Sequence, residues 1–231
     1  MNPADKEHIP IEAVYRSKRR TIALIITPDA KLVIRAPLRV SHASIEDFVA
    51  KKRSWILRKM GEMSKIPRTP ERKYIDGETF LFLGTSYPLK IMHNRKRGVS
   101  LGECLEVNTT LSPYDGEVRE CLAAWYRSRA QDVICMRCKE IATNMGCVPS
   151  SVKISHAERR WGSCSAKGDI RFSWRLVMAP PEIIDYVIVH ELVHIVHHNH
   201  SKRFWDAVAA FMPDFQARRT WLRKNDQILS I

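Results

Sequence analysis

His190, Glu191, His194 and His200 have types and spacings that suit a metal site for hydrolysis. Two histidines four positions apart on an α-helix project from one face, about 6 Å apart along the axis, so both can reach one cation. A glutamate beside the first histidine points roughly a quarter-turn away, where it can accept a proton from a metal-activated water. The motif predicts a mononuclear metal site with Glu191 as general base.

The third ligand has to come from His197, His198 or His200. If the helix continued to His198, that residue would lie about 12 Å from His190 along the axis, too far for two ligands each about 2 Å from one zinc ion. Asn199 tolerates the left-handed backbone that ends helices, so a turn there would bring His200 toward the metal. We therefore predict His200 as the third ligand.

Three neutral imidazoles would leave the full charge on one Zn²⁺ ion and one position for water, whose pKa falls to about 7 in such sites. The alternative is a histidine-rich helix end without a metal, its cations interacting with the helix dipole.

The residues before the motif predict a buried helix. Ala179-Pro180-Pro181 breaks the chain and places proline in a first helical turn, and Glu182 and Asp185 put negative charge near the helix start. Apolar residues then occupy most sides of the helix: Ile183, Ile184, Val187, Ile188, Leu192, Val193 and Ile195.

Several segments resemble the YgjP-like metal-dependent hydrolases, a family similar to the SprT and WLM-type zinc peptidases. They are Arg159-Arg160-Trp161-Gly162-Ser163-Cys164-Ser165, residues 171–176, the His-Glu motif, residues 200–205 and, in the amino-terminal half, residues 16–22 and 51–56. The resemblance implies a zincin-like catalytic half with the metal on His190, His194 and His200 and with Glu191 as base. It implies the substrate less directly, because fold and motif alone do not define one.

A β-hairpin is predicted where the first of these segments lies. If it packs beside the metal helix, its edge could bind an extended peptide, while Arg159, Arg160 or Arg175 could engage a carboxylate or phosphate. Alternatively the hairpin is structural, with Trp161 and Trp174 filling core space. We favour the core role for Trp174 and leave Trp161 open between core and substrate binding.

Composition indicates a soluble globular protein. Of 231 residues, 45% are hydrophobic and 27% are charged. No apolar run approaches the 18 or more residues of a membrane span, and the first residues lack the apolar core of a signal peptide, so we expect a cytoplasmic protein without a membrane partner. The sequence leaves the oligomeric state open.

The six cysteines do not form a strong disulfide or metal pattern. Cys135 and Cys138 are a C-x-x-C pair without a matching second pair, so we expect buried, reduced thiols. Cys164 is conceivable as a nucleophile, but metal-assisted hydrolysis makes a second nucleophile unnecessary.

A net charge of +13 is the second global feature. Basic clusters at residues 16–20, 51–53 and 95–97 suggest an anionic partner, either nucleic acid or a phosphate-bearing substrate. A solvated basic surface explains the charge equally well.

The element pattern predicts an α+β fold, with a β-rich amino-terminal region of one helix over 1–111 and a mainly helical, zincin-like catalytic domain with a β-hairpin over 112–231. The expected strand pairs are 21–27 with 32–36, 79–83 with 87–92, 99–101 with 104–108, and an antiparallel pair of 152–155 with 170–176. Expected helices cover 41–63, 112–145 from a Ser112-Pro113 start, the metal motif, 201–211 and a last helix from Pro213.

The function that follows is zinc-dependent hydrolysis, with a peptide as the leading substrate. One alternative is a nucleotide phosphoanhydride, which would use the basic surface but lacks the carboxylate cluster common in phosphoryl-transfer sites. Another is a nucleic-acid-binding module with a vestigial metal site, against which Glu191 argues because binding alone needs no general base.

Overall fold

The computed structural model describes residues 9–27, 29–64, 72–93, 96–110, 116–158 and 160–231. The chain forms two compact units, residues 1–70 and 71–231. The predicted α+β class is confirmed, since both units combine helices with mixed sheets.

The amino-terminal unit contains three strands followed by two helices. The strands are β1 (Ile11–Ser17), β2 (Ala23–Ile26) and β3 (Leu32–Pro37), and the helices are α1 (His42–Lys51) and α2 (Arg53–Ser64). Central β3 pairs parallel with β1 and antiparallel with β2. The apolar faces of these elements enclose a separate small core that includes Leu32, Ile34, Ile45 and Ile56.

Sequence patterns predicted part of this unit. The β2–β3 hairpin is confirmed, and the Ser41 side chain accepts a hydrogen bond from the Ser44 amide as the expected cap of α1. The predicted single helix is broken at Lys52, and β1 was not predicted. In the basic cluster at 16–20, Arg16 has a structural role: its guanidinium donates hydrogen bonds to the carbonyls of Pro37, Leu38 and Val40.

The second unit begins with a four-stranded sheet and a long helix. Strands β4 (Thr79–Phe82), β5 (Thr85–His93), β6 (Gly98–Leu101) and β7 (Leu105–Thr109) are ordered β4-β5-β7-β6, and α3 (Glu117–Asn144) follows. The predicted pairs β4–β5 and β6–β7 are confirmed. The expected helix start at Ser112-Pro113 lies outside the described residues.

The compact unit that carries the metal motif begins at residue 71, whereas the sequence placed a boundary between residues 111 and 112. The physical reason is a shared core. Phe80, Leu89 and Leu105 of the sheet are buried in the same cluster as Leu122 and Ile134 of α3. The sheet and helix α3 therefore fold against each other.

A second sheet and three helices complete this unit. They are β8 (Ser151–Ser155), β9 (Gly162–Cys164), β10 (Asp169–Ser173), a 3-10 helix (Trp174–Met178), α4 (Pro181–Val193), α5 (Lys202–Phe211), α6 (Phe215–Asn225) and a 3-10 turn (Asp226–Ile228). No helix of the described chain is both long and apolar enough to cross a membrane.

The expected antiparallel pairing of residues 152–155 with 170–176 is wrong. Strand β10 pairs parallel with β8, and its antiparallel partner is β9, which lies in the segment expected to be only a loop. Strand β10 also ends at Ser173, because Trp174–Met178 turns into a 3-10 helix whose side chains are buried except for Arg175. The predicted hairpin exists, but it is formed by β9 and β10.

The β4–β5 turn holds the start of α4 in place. Leu83 and Gly84 both have positive φ, as in the two-residue turns that suit hairpins. Their amides donate to the carbonyls of Val177 and Met178, and a Cβ at Gly84 would lie 2.9 Å from the Cα of Pro180. Pro180 directly precedes α4, so the turn packs against the base of the metal helix.

Replacing Gly84 by alanine is expected to lower the free energy of unfolding by about 2–5 kcal/mol. A left-handed backbone costs a non-glycine residue about 1–2 kcal/mol, and the collision with Pro180 adds about 1–3 kcal/mol of overpacking. Gly77→Ala is the matched control, because Gly77 also has positive φ but a Cβ there meets nothing within 4 Å. Equal losses for the two variants in chemical denaturation would contradict the packing role.

Candidate metal centre

Helix α4 carries His190, and His194 caps its carboxyl-terminal end. The position of its first half is set by the residues near its start. Pro181 occupies the first turn, and nine of its thirteen residues are buried, as the apolar pattern predicted. Near its start, the carboxylate of Asp185 accepts two hydrogen bonds of 2.8 Å from the guanidinium of Arg137 on α3. This bidentate pair sets the position of α4 against α3.

The chain reversal after α4 differs from the expected one. The helix ends at Val193, and the His197 amide donates to the Val193 carbonyl within a turn over residues 194–196. Asn199 is not among the described residues with positive φ, so the expected left-handed conformation there is wrong. Tight turns close to the helix end begin the reversal, and the Asn199 side chain accepts a hydrogen bond from the Ser201 amide at a bend next to His200.

The structure brings His190, His194 and His200 together. The Nε2 atom of His200 lies 3.0 Å from Nε2 of His190 and 3.2 Å from Nε2 of His194. These are the one group of three or more His, Cys, Asp or Glu side chains in the described chain that could share an ion, with ligand atoms within 4.8 Å of one another. His198 is exposed and belongs to no such group.

The hydrogen bonds of the three histidines leave Nε2 lone pairs that a cation could bind. Nδ1 of His194 lies 2.8 Å from the carbonyl of His197 and donates to it in the neutral ring, which leaves a lone pair on Nε2. Nε2 of His200 carries at most one proton, but it lies close to Nε2 of both His190 and His194. At least two Nε2 lone pairs therefore face each other. A shared cation removes this repulsion.

The two helix histidines are held neutral. Burial, followed by the charges of His194 and His200, lowers the pKa of His190 to about 3. Burial also lowers the pKa of His194. Neutral imidazole is the form that binds metals, so both rings are ready for coordination at neutral pH.

Aromatic side chains fix the three imidazoles. The fully buried ring of Phe204 on α5 lies 4.9 Å from His190, 4.5 Å from His194 and 4.7 Å from His200 between centroids. Trp205 stacks on His200 at 5.5 Å. These contacts restrict the rings to few orientations, so helix α5 is part of the site although it contributes no nitrogen.

Glu191 is buried, with only 6% of the residue exposed. Burial raises the pKa of its carboxyl to about 7, while the charge of Arg160 opposes the shift. The backbone of β9 closes against it, since a Cβ on Gly162 would lie 2.5 Å from Oε1 of Glu191. A carboxyl with this pKa can both accept and release a proton near neutral pH.

The described residues among the predicted substrate contacts have different partners. Arg159 lies outside the described residues. Arg160 is exposed and acts on Glu191 through its charge, whereas Arg175 pairs with Glu158 at 3.4 Å. Trp161 is half-buried and hydrogen-bonds to the carboxylate of Asp226. Trp174 is buried in the core, as expected.

The cysteines provide no competing chemistry. All six are free. Burial raises the pKa of Cys164, and the charge of Glu191 raises it further, which keeps the sulfur as an unreactive thiol. Burial raises the pKa of Cys138 to about 12, in line with the expected inert thiol.

Sequence reasoning did not identify Gly162 as part of the site, whereas it expected Phe204, which comes just after the third ligand, to pack against the site and orient it. The Trp-Gly-Ser-Cys segment was noticed, but nothing in it reveals that the glycine faces Glu191. Phe204 follows His200 by four positions, and its contact with all three rings depends on how α5 packs against α4.

Comparisons with known proteins identify a family for the chain. A family model described as a YgjP-like metallopeptidase domain matches residues 20–225. No curated protein matches the chain. Among solved structures, the metallopeptidase zymogen abylysin of Pyrococcus abyssi is 20% identical, with a TM-score of 0.36, over 40% of this chain and 94% of that one.

Proposed function

Because the chain belongs to the YgjP-like metallopeptidase family, we propose that it is a zinc-dependent peptidase whose metal ligands are His190, His194 and His200 and whose general base is Glu191. Family membership supports a metal-dependent hydrolase acting on peptides. One observation carries the assignment of the ligands: the Nε2 atoms of His190, His194 and His200 converge. The assignment of the base is supported by the buried carboxyl of Glu191, the residue that follows His190.

The donor set fits zinc. Zinc lies about 2.0–2.1 Å from histidine nitrogens, and tetrahedral geometry then separates two such nitrogens by about 3.3 Å. The separations of 3.0 and 3.2 Å are close to that value. Neutral nitrogen ligands without a carboxylate suit zinc and disfavour magnesium or calcium, which prefer oxygen.

The protein's own groups would divide the work of peptide hydrolysis. When bound, the ion supplies a Lewis acid for the scissile carbonyl and for the attacking water. Glu191 accepts the proton of that water and returns it to the departing amine. The carbonyl of His197 fixes the ring of His194, and Phe204 holds all three rings.

The direct test is an activity screen of the zinc-loaded chain against a peptide pool and against nucleoside triphosphates. We expect peptide cleavage that stops when a chelator removes the metal and returns when zinc is added back. Triphosphate hydrolysis without peptide cleavage would contradict the proposal.

Replacing Gly162 by alanine is expected to lower kcat/KM by at least about 10-fold, because misplacing a catalytic group by about 1 Å can cost up to about 100-fold. The new Cβ would collide with the buried side chain of Glu191, whereas zinc affinity should be unchanged because no ligand moves. Gly98→Ala is the control, since that strand glycine has nothing within 4 Å of its Cβ position. Unchanged turnover in Gly162→Ala, with turnover measured at saturating zinc, would contradict this role.

A further inference from the structure

A pocket of about 870 Å³ lies between helix α6 and the aromatic residues next to the three histidines. Its lining includes the aromatic residues Trp161, Tyr186, Trp205 and Phe215 together with Arg219 and Asp226. Nothing in the sequence singled out this pocket, which is formed largely by helix α6.

The pocket borders the metal centre through its aromatic wall. The ring of Trp205 stacks on His200 and lies 5.8 Å from the His190 ring, and Tyr186 lies 6.0 Å from His190 on another side. Trp161 directly precedes Gly162, the residue against Glu191. The pocket and the surroundings of His190 therefore share Trp205 and Tyr186, so the pocket begins one side chain away from the histidines.

Arg219 places a positive charge at the end of the pocket nearest the histidines. Its guanidinium carbon lies 4.7 Å from the centroid of Trp205, the ring that stacks on His200. Within the described chain Arg219 forms no ion pair, although the preceding Arg218 pairs with Asp214 at 2.8 Å. Stacking on the indole holds the guanidinium in position while leaving its N–H groups free.

The one carboxylate of the pocket does not neutralise Arg219. Burial raises the pKa of Asp226, and the groups that oppose this shift are the Trp161 side chain, through a hydrogen bond, and Arg175, through its charge. Arg219 is not among them. The pocket thus has a negative group on the side of Trp161 and a positive group on the side of Trp205, and Arg223 is a second cation of its lining.

We propose that Arg219 binds a carboxylate of the peptide substrate and so determines its specificity, an inference that rests on the proposed peptidase function. A planar guanidinium recognises a carboxylate with two parallel hydrogen bonds. The stacked path from His200 through Trp205 to Arg219 is short enough for two or three extended residues to bridge, at roughly 3.5 Å per residue. The carboxylate is therefore that of an acidic side chain or a chain terminus within two or three residues of the cleaved bond.

Matched peptides test this inference and separate the two sources of the carboxylate. Internally quenched peptides carry either Glu or Gln at one of three positions on each side of the cleaved bond, and each is made with a C-terminal acid or amide. We expect kcat/KM to be about 10- to 100-fold higher for the acid member of one pair, the range for hydrogen bonds to a charged group. The pair that responds identifies the side chain or the terminus.

Variants of α6 then assign the preference to Arg219. In Arg219→Gln the acid and neutral peptides should be cleaved equally well, and in Arg219→Glu a lysine at the responding position should become the better substrate. Lys224→Gln is the control, because it removes one positive charge from the same helix without lining the pocket. A preference that persists in Arg219→Gln, or is absent from the wild type, overturns the inference.

Peptide binding to the Glu191→Gln variant tests carboxylate recognition by Arg219 independently of peptide cleavage. Titration calorimetry of that variant, loaded with zinc, should show the same ratio of Kd between acid and neutral peptides. If no peptide is cleaved but the ratio depends on Arg219, the proposed function fails and carboxylate binding stands. If peptides are cleaved without any dependence on Arg219, the inference alone fails. Equal binding of both peptide forms, or no peptide binding, overturns it as well.

Discussion

Glu191→Gln is expected to lower kcat for peptide hydrolysis by about 100- to 10,000-fold, the range for removal of a general acid–base group. Glutamine has nearly the shape of glutamate but cannot take a proton from water. Glu191 is buried against β9, where an isosteric side chain fits and solvent cannot easily replace it. Zinc content and zinc affinity should stay as in the wild type, since three histidine nitrogens remain.

The Tm of the Glu191→Gln variant distinguishes the loss of a general base from damage to the fold. The pKa of Glu191 is raised from 4.5 to about 7 in the folded chain, mainly by burial. A carboxyl whose pKa is raised by folding stabilises the fold below its unfolded pKa and loses that contribution as pH rises through the folded pKa. Near pH 8 the neutral glutamine is therefore expected to leave the Tm of the metal-free protein unchanged or higher.

The measurement combines single-turnover kinetics with metal analysis on the same preparations. A variant with bound zinc, an unchanged or raised Tm and turnover above about one tenth of the wild type would contradict the role of Glu191, since a general base contributes at least about 100-fold. Arg160→Gln provides a comparison, because the exposed Arg160 acts on Glu191 only through its charge. Its effect on turnover should be much smaller.

The sequence was most informative where periodicity and local chemistry coincide. Helix α4 follows from a proline start, a run of apolar residues and two histidines at helical spacing, and all of these are short-range signals. The same is true of the β2–β3, β4–β5 and β6–β7 hairpins, whose strands are close in the chain. For such elements local pattern and final structure agree because few distant contacts compete.

Features set by distant packing were not predictable. Strand β8 pairs with β10 as predicted, but in the parallel direction, and no local residue pattern distinguishes parallel from antiparallel pairing there. The position of Gly162 against Glu191 and of Arg219 over Trp205 depends on how β9 and α6 pack around α4. Distance along the axis of α4 excluded His198, but the turn that returns the chain to His200 uses amides near Val193 and the side chain of Asn199 rather than a left-handed backbone at Asn199.

Loss of His200 is expected to weaken zinc binding by more than about 100-fold, beyond the 10- to 100-fold typical for loss of an outer-shell partner. In His200→Ala two nitrogens on α4 remain, and the ion loses the ligand whose Nε2 lies between them at 3.0 and 3.2 Å. His200 is exposed, so its replacement removes little buried surface and should leave the metal-free Tm nearly unchanged.

Neighbouring histidines provide the controls for this ligand assignment. His198→Ala removes an exposed ring that belongs to no metal-binding group of the described chain, and His197→Ala keeps the backbone carbonyl that accepts from His194. Both variants should bind zinc nearly as the wild type does. Zinc affinity is measured by competition with a chelator and, independently of activity, by the rise in Tm on adding zinc, because a ligand of the folded state stabilises it. If His197→Ala or His198→Ala loses zinc and His200→Ala retains it, the third ligand is not His200, and the convergence of the three rings on Phe204 has a purely structural purpose.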